Sequence, residues 1–389
     1  MHVLVIASWY PTDDKPGAGI FFKEQAESLY RFGVKVGVLA CAPMSLQRDI
    51  RKFPFIRANY SKKIENNVPV YQLQYWNWLT LFPALYLKYI EGIGMPAFSD
   101  YCSQYGIPDV IHAQSVLYGG ALAVYIKQQT GIPVVIQEHL TKFQTRQIRI
   151  HQKNSVKQAF SSASCVYAVS DGLARYMRVD YGIENIKVIG NSITTDFFLP
   201  EIKQKQLSPF VFTSIGSLVP RKGFDILLRA FQLVASKKNA ILQIVGAGPE
   251  KSKLKDIAKK LGISDQVNFL GFLPRQQIRD VIAGSHVVVS ASYVETFAVT
   301  LIEAMACGVP VVSTRSGGPE GFVIPETGIL CTPGHVGELG IALKNMMENY
   351  ISYSPHKIRQ YCAENFSERI IAAKWVDVYT QLSMSSLES

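Results

Sequence analysis

A pair of α/β domains, each a doubly wound parallel sheet, is the architecture that this 389-residue chain predicts. Three observations carry it. Short apolar runs alternate with amphipathic stretches along the whole chain, the pattern of βα units. The alternation breaks once, at a polar, proline-bearing stretch, and then starts afresh. The length accommodates two domains at roughly 150 residues each.

In chain order, His2–Ala7 reads as a strand, followed by a turn around Pro16–Gly19 and a helix over about 21–32. Val34–Ala40, Val110–His112, Val134–Gln137, Cys165–Val169 and Lys187–Ile189 read as further strands with helical stretches between them. The break spans 191–209, which holds two prolines and a charged, amide-rich run. The second series consists of strand Phe210–Ile215, helix Phe224–Ser236, strand Ile241–Val245, helix Glu250–Leu261 and strand Val267–Phe269, then strand His286–Ser290, helix Val299–Cys307 and strand Val309–Thr314. A last helix, about 368–382, carries Trp375 and Tyr379. The expected division is 1–198, a linker at 199–209, 210–366, and 367–389 packing back across the junction. Open α/β sheets bind ligands at the carboxyl ends of their strands, so a cleft between two such domains is the expected site.

Composition excludes several classes. With 48% hydrophobic and 18% charged residues the chain is neither disordered nor fibrous. Its six cysteines are scattered and form no CxxC pair, which argues for reduced thiols and against a disulfide scaffold or zinc site. The opening apolar run is too short for a signal peptide and lacks a basic leader, so a cytoplasmic chain is expected. The +10 charge admits nucleic acid, anionic membrane or anionic substrate. No nucleic-acid-binding motif accompanies it. A basic cluster from Arg48 to Lys63 precedes Asn66–Leu87, a stretch without charge that contains Tyr71, Tyr75, Trp76, Trp78, Phe82 and Tyr86. It is a poor transmembrane span. It reads either as an interfacial patch, aromatics at headgroup depth beside Lys/Arg, or as a core strand and helix.

Candidate chemistry lies in the loops after strands. Gly17 and Gly19 follow the first strand, where glycines let backbone N–H groups approach a phosphate. Gly216 to Gly223 repeats that arrangement at the head of the second domain, and Arg221 and Lys222 there suit a diphosphate, as a fork and a point charge. The densest signal runs from Tyr293 to Pro310: Glu295 in a loop, Phe297, Ala298 and Val299 opening a helix, Glu303 within it and Gly308 ending it. Carboxylates accept the paired hydroxyls of sugar and ribose. Gly317-Gly318-Pro319-Glu320 adds another turn and carboxylate. His139 and His112 follow front-half strands, and a histidine at a strand end can position a hydroxyl or move a proton. No DxD, GxSxG, HExxH or Walker lysine motif occurs.

Taken together these residues resemble the family 4 retaining glycosyltransferases of GT-B fold, over nearly the whole chain. The resemblance rests on Pro16–Gly19, Glu138-His139, Ala168-Val169-Ser170, Asn191, Gly216 to Gly223, Glu295 and Glu303 with Ala304-Met305-Ala306-Cys307-Gly308, and Gly317-Gly318-Pro319-Glu320. It implies that Arg221 and Lys222 hold the donor diphosphate, with Gly17, Gly19 and Gly216 near the phosphates. It places Glu303 on the ribose, Glu295 with the 297–299 backbone on the donor sugar, and His139 beside that sugar. Ala298 stands where the family usually has Gly, and Ala247 where an acidic residue is common. The opening Ser8-Trp9-Tyr10-Pro11 through Gln25 is similar to bacterial cell-surface polysaccharide enzymes, including teichuronic acid, capsule and exopolysaccharide transferases.

The expectation is therefore a metal-independent retaining transferase without a cofactor. It would move sugar from a nucleoside diphosphate donor to a polyprenyl-diphosphate-linked acceptor at the cytoplasmic face of the membrane, with His112, Trp76 and Trp78 as acceptor contacts. The rival readings are transfer to a soluble small acceptor, a non-catalytic two-lobed sugar-binding protein, and a nicotinamide oxidoreductase. The last lacks both the GxGxxG loop and an acidic ribose reader.

Overall fold

The computed structural model describes residues 1–12, 17–44, 59–76, 83–200, 206–235 and 239–385. The chain divides into two compact units: Met1–Val169 with Leu173–Asn191 and Ile371–Ser389, and Ser170–Gly172 with Ser192–Ile370.

The first unit is an eight-stranded sheet. Its elements are β1 (His2–Ala7), α1 (Ile20–Arg31), β2 (Lys35–Met44), β3 (Asn59–Glu65), β4 (Val68–Trp76), α2 (Pro83–Tyr105), β5 (Val110–Gln114), α3 (Ala121–Thr130), β6 (Val134–Glu138), α4 (Thr141–Gln144), α5 (Ile150–Ser162), β7 (Cys165–Ala168), α6 (Asp171–Tyr181) and β8 (Ile186–Val188). The strand order is β3-β4-β2-β1-β5-β6-β7-β8. All pairings are parallel except β3 with β4, joined through Asn66 and Asn67, both at positive φ. Both faces of β1, β5 and β6 are covered, which is why Val3–Ala7 reads as an unbroken apolar run and why the polar residues of β5 and β6 are buried with their neighbours.

The β3–β4 hairpin decides one of the open readings. Tyr71, Tyr75 and Trp76 are buried in β4, so this part of the uncharged stretch is core strand and not a patch meeting lipid headgroups. Trp78 and the basic residues Arg48 to Arg57 fall outside the described residues.

The second unit has β9 (Phe210–Ile215), α7 (Phe224–Ala235), β10 (Ala240–Val245), α8 (Lys251–Lys260), β11 (Val267–Gly271), α9 (Arg275–Gly284), β12 (Val287–Ser290), α10 (Val299–Ala306), β13 (Val311–Thr314), β14 (Gly328–Cys331), α11 (Val336–Glu348), α12 (Pro355–Phe366) and the start of α13 (Glu368–Ser385). Its parallel sheet runs β11-β10-β9-β12-β13-β14. Helix α7 shows how the sequence builds such layers. Phe224, Leu227, Leu228, Phe231 and Val234 recur at helical spacing and are buried in the core with Phe212, Leu242 and Leu343.

The unit boundary falls at Asn191/Ser192, ahead of the 199–209 stretch expected as linker. Ile193 bridges to Ser367, and the Arg359 guanidinium donates to the carbonyls of Phe198 (2.6 Å) and Thr195 (2.9 Å), so 192–198 are tied to the second unit. Helix α13 starts there too, Glu368 accepting from Thr194 at 2.8 Å. From Ile371 onward it belongs to the first unit, where Trp375 and Tyr379 are fully buried against Val5, Val135 and Tyr167.

Candidate active site

In each sheet the strand order reverses direction at one point, between β1 and β5 in the first and between β9 and β12 in the second. Ligands of open α/β sheets bind beyond the carboxyl ends of the strands flanking such a point.

Beyond β9 in the second unit, the backbone folds over itself. Gly223 (φ +64) and Gly246 (φ +137) occupy conformations that favour glycine, and the backbone packs so closely that a Cβ at Gly246 would collide with the Gly216 carbonyl. This compact turn delivers Arg221 and Lys222 to the end of the sheet, with Gly216 against the Lys222 side chain. The Arg221 carbonyl accepts from Tyr293 N–H at 2.8 Å, which ties the loop after β9 to the loop after β12. The Lys222 ammonium pairs with the Glu295 carboxylate, which also accepts from Ser292 Oγ at 2.7 Å. Arg221 Nη1 is buried and has no hydrogen-bond partner among the described residues. A buried guanidinium N–H without an acceptor is costly, so this atom marks a place suited to an anion.

The neighbouring residues build the remaining wall. Glu295 N–H donates to Ser316 O at 2.9 Å, and Gly318 lies so close to Phe297 that a Cβ there would stand 2.6 Å from the Phe297 Cα. Ala298, at φ 74 and ψ 63, starts α10 from the left-handed region. That conformation is routine only for glycine, which accounts for glycine being usual at this position. Glu303, on α10, is 8% exposed. Glu320 does not join this group, because its carboxylate turns back to accept from Gly317 N–H at 2.8 and 3.0 Å.

Beyond β1 in the first unit, Gly19 (φ +68) precedes α1, and a Cβ there would lie 2.7 Å from Trp9 O. Gly17 is exposed, and a Cβ there would meet no atom within 4 Å among the described residues. The loop after β5 is strained, with Ser115 at φ 67 and Tyr118 at φ 65. Such conformations cost on the order of 1–3 kcal/mol each and persist only where neighbours impose them. Here Ser8 Oγ bonds the carbonyls of Ser115 and Leu117 and accepts from Gly119 N–H at 3.0 Å. The Glu138 carboxylate accepts from the N–H groups of Val116, His139 and Leu140, each at 2.8 Å. Burial pushes the Glu138 pKa up, and those N–H donors pull against it.

His139 follows β6 and is 7% exposed, with Phe21 and Phe22 against its ring and Nε2 2.7 Å from Gln114 Oε1. Burial, reinforced by His112, holds its pKa well below 6.5. The imidazole is therefore neutral at physiological pH, so a hydrogen-bonding part suits it better than proton donation as a cation.

Two expected acceptor contacts are corrected. His112 is fully buried in β5, its Nδ1 2.6 Å from Tyr379 Oη and its ring beside Trp375, and burial lowers its pKa to about 3. Trp76 is 4% exposed. His112 has no exposed surface to offer an acceptor, and Trp76 packs as a core residue of β4. Ser292 beneath Glu295 and the glutamines beneath His139 went unread in the sequence, and Ser8 and Glu138, noted there only as part of the resemblance, clamp the strained loop. The alternation His112-x-Gln114 puts both side chains on one face of β5 and was the available signal.

Among the described residues no group of three or more His, Cys, Asp or Glu could hold a metal ion, and no helix is long and apolar enough to cross a membrane.

The glycosyltransferase family 4 model matches residues 16–197, and the glycosyl transferases group 1 model matches 197–368. A teichuronic acid biosynthesis glycosyltransferase of Bacillus subtilis is 27% identical, covering 88% of each chain. Among solved structures, a sucrose-phosphate synthase from Thermosynechococcus elongatus superposes with a TM-score of 0.78 at 20% identity, covering 99% of this chain and 100% of that one. Anabaena HepE, in complex with UDP and glucose, gives 0.73 at 18%, covering 97% and 99%. With both halves matched by paired glycosyltransferase models and two parallel-sheet units of GT-B type, the chain belongs to the family 4 glycosyltransferases of GT-B fold.

Proposed function

We propose that this glycosyltransferase moves a sugar from a nucleoside diphosphate donor to a lipid-linked, polyprenyl-diphosphate-type glycan of a cell-surface polysaccharide. Transfer retains the anomeric configuration, requires no metal, and takes place at the cytoplasmic face of the membrane. The observation that carries the donor assignment is the buried, unpartnered Arg221 Nη1 next to the Lys222–Glu295 pair, beyond the strand ends of the second unit. The Bacillus relative's part in teichuronic acid biosynthesis supports the polysaccharide acceptor.

The bond from the anomeric carbon to the diphosphate oxygen breaks while the acceptor oxygen bonds that carbon on the same face. The acceptor's proton passes to an oxygen of the departing diphosphate, so no enzyme nucleophile is needed. Arg221 and Lys222 stabilise the charge that develops on the diphosphate, a fixed-charge effect of the oxyanion-hole kind. Glu295 holds donor-sugar hydroxyls and, through its pairing with Lys222, keeps the ammonium oriented before the donor arrives. The N–H groups at the head of α10, at 297–299, flank the same sugar, and Glu303 takes the ribose hydroxyls. Gly17 and Gly19 allow backbone approach to the phosphates, and His139 bonds a hydroxyl of the transferred sugar.

The test is a thermal-shift panel with UDP, GDP, ADP and NAD, each with and without EDTA. Ligand at about 100 times its Kd stabilises the fold by roughly 2.7 kcal/mol. One nucleoside diphosphate is expected to shift the melt equally in both conditions. A shift with NAD alone overturns the donor assignment, and a shift abolished by EDTA overturns metal independence.

A further inference from the structure

Beneath His139 the first unit buries four polar side chains to which the chemistry above gives no part: Gln25, His112, Gln114 and Gln137. Their hydrogen bonds have one allowed direction. The carbonyl of Ile189 can only accept, so Gln137 presents Nε2 to it, at 2.9 Å. Gln137 Oε1 then faces Gln25, whose Nε2 donates to it at 3.3 Å. Gln25 Oε1 accepts in turn from Gln114 Nε2 at 2.7 Å. Gln114 is left with Oε1 towards His139 Nε2, at 2.7 Å, and with its second N–H towards His112 Nε2, at 3.2 Å. Reversing any one amide would set two donors or two acceptors face to face. A neutral imidazole carries one N–H, so His139 holds it on Nε2, and His112 on Nδ1, where it donates to Tyr379 Oη.

We propose that Gln114 is a positioning residue that locks His139 in its Nε2–H tautomer, leaving Nδ1 as an acceptor, so that the substrate group meeting His139 is a hydroxyl donor and not a phosphate or carboxylate oxygen. The hydroxyl assignment rests on the reading above that His139 meets the donor sugar. Burial keeps both histidines neutral, so the lock operates across the physiological range. The direction originates at a backbone carbonyl four bonds from His139, so Gln25, which makes no hydrogen bond to His139, is part of the device.

The experiment uses the full chain labelled with 15N in its histidine rings, with the His139 signals identified by their loss in His139→Ala. At pH 7.5 the wild type is expected to show the Nε2–H form. Gln114→Met and Gln25→Met are each expected to give a mixture with the Nδ1–H form. With the donor class selected by the nucleotide panel, Gln114→Met is expected to lower kcat by about 10–100-fold with little change in donor KM. An Nδ1–H form in the wild type overturns the proposal, as does an unmixed Nε2–H form in both folded glutamine variants. If His139→Ala turns over at the wild-type rate while the tautomer responds as expected, the contact between His139 and the sugar is overturned and the tautomer lock stands.

Discussion

At the strand ends of the first unit, His139 sits among neutral amides and aromatic rings, with every described hydrogen bond of the glutamine chain made. At the strand ends of the second, Arg221, Lys222 and Glu295 bring full charges together and leave a buried guanidinium N–H unpartnered. Neutral networks fix direction at little electrostatic cost, whereas charged clusters left incomplete keep their energy for something that binds. The glutamine chain is complete as it stands, whereas the charged cluster keeps a buried N–H open where the proposed diphosphate would bind.

The contrast can be broken from the first unit's side by removing what covers its network. Trp375 is fully buried against the His112 ring, so Trp375→Ala is expected to destabilise the protein by about 3–5 kcal/mol. Chemical denaturation measures this, and a loss below about 1 kcal/mol would mean that the helix end is not part of the core.

The second unit is probed by Lys222→Ala. Losing one preorganised donor to a developing negative charge costs about 10²–10³ in kcat. Near-normal turnover in a folded variant would refute the diphosphate role.

Acid sharpens the comparison further. His112 has a folded pKa of about 3 against 6.5 for the exposed group, so its contribution to stability is complete above 6.5 and is lost as pH falls from there towards 3. The slope approaches about 1.4 kcal/mol per pH unit for one such group. His139 acts in the same sense, while Glu138, with its raised pKa, acts in the opposite one. Melts of wild type and His112→Phe between pH 7 and 5 are expected to converge towards the acid end. Parallel curves would contradict the buried neutral histidine.

Much of the second unit was legible because its signals are local. Gly308 at φ +70 ends α10, Gly223 turns into α7, and Glu295 and Glu303 are separated by a short loop and the first turn of a helix that the sequence itself delimits. The first unit hid more. His112 looks like a strand-end ligand until Trp375 and Tyr379 close over it, a contact spanning 267 residues that no window of sequence contains. Trp76 carries an interfacial aromatic's signature, yet pairs opposite Met44 in the sheet and is covered. The β3–β4 hairpin went unread since it is antiparallel at the edge of an otherwise parallel sheet. Residues 192–198, expected to close the first domain, group with the second unit, and the backbone carbonyls that Arg359 captures leave no mark in composition.

Helix α13 has a consequence for synthesis. Domains ordinarily fold as units in the order in which they leave the ribosome. Here the first unit lacks Trp375 and Tyr379 until 371–385 have emerged, after all of the second unit has been made. The second domain is thus free to fold first, and the amino-terminal sheet, begun earliest, is completed last.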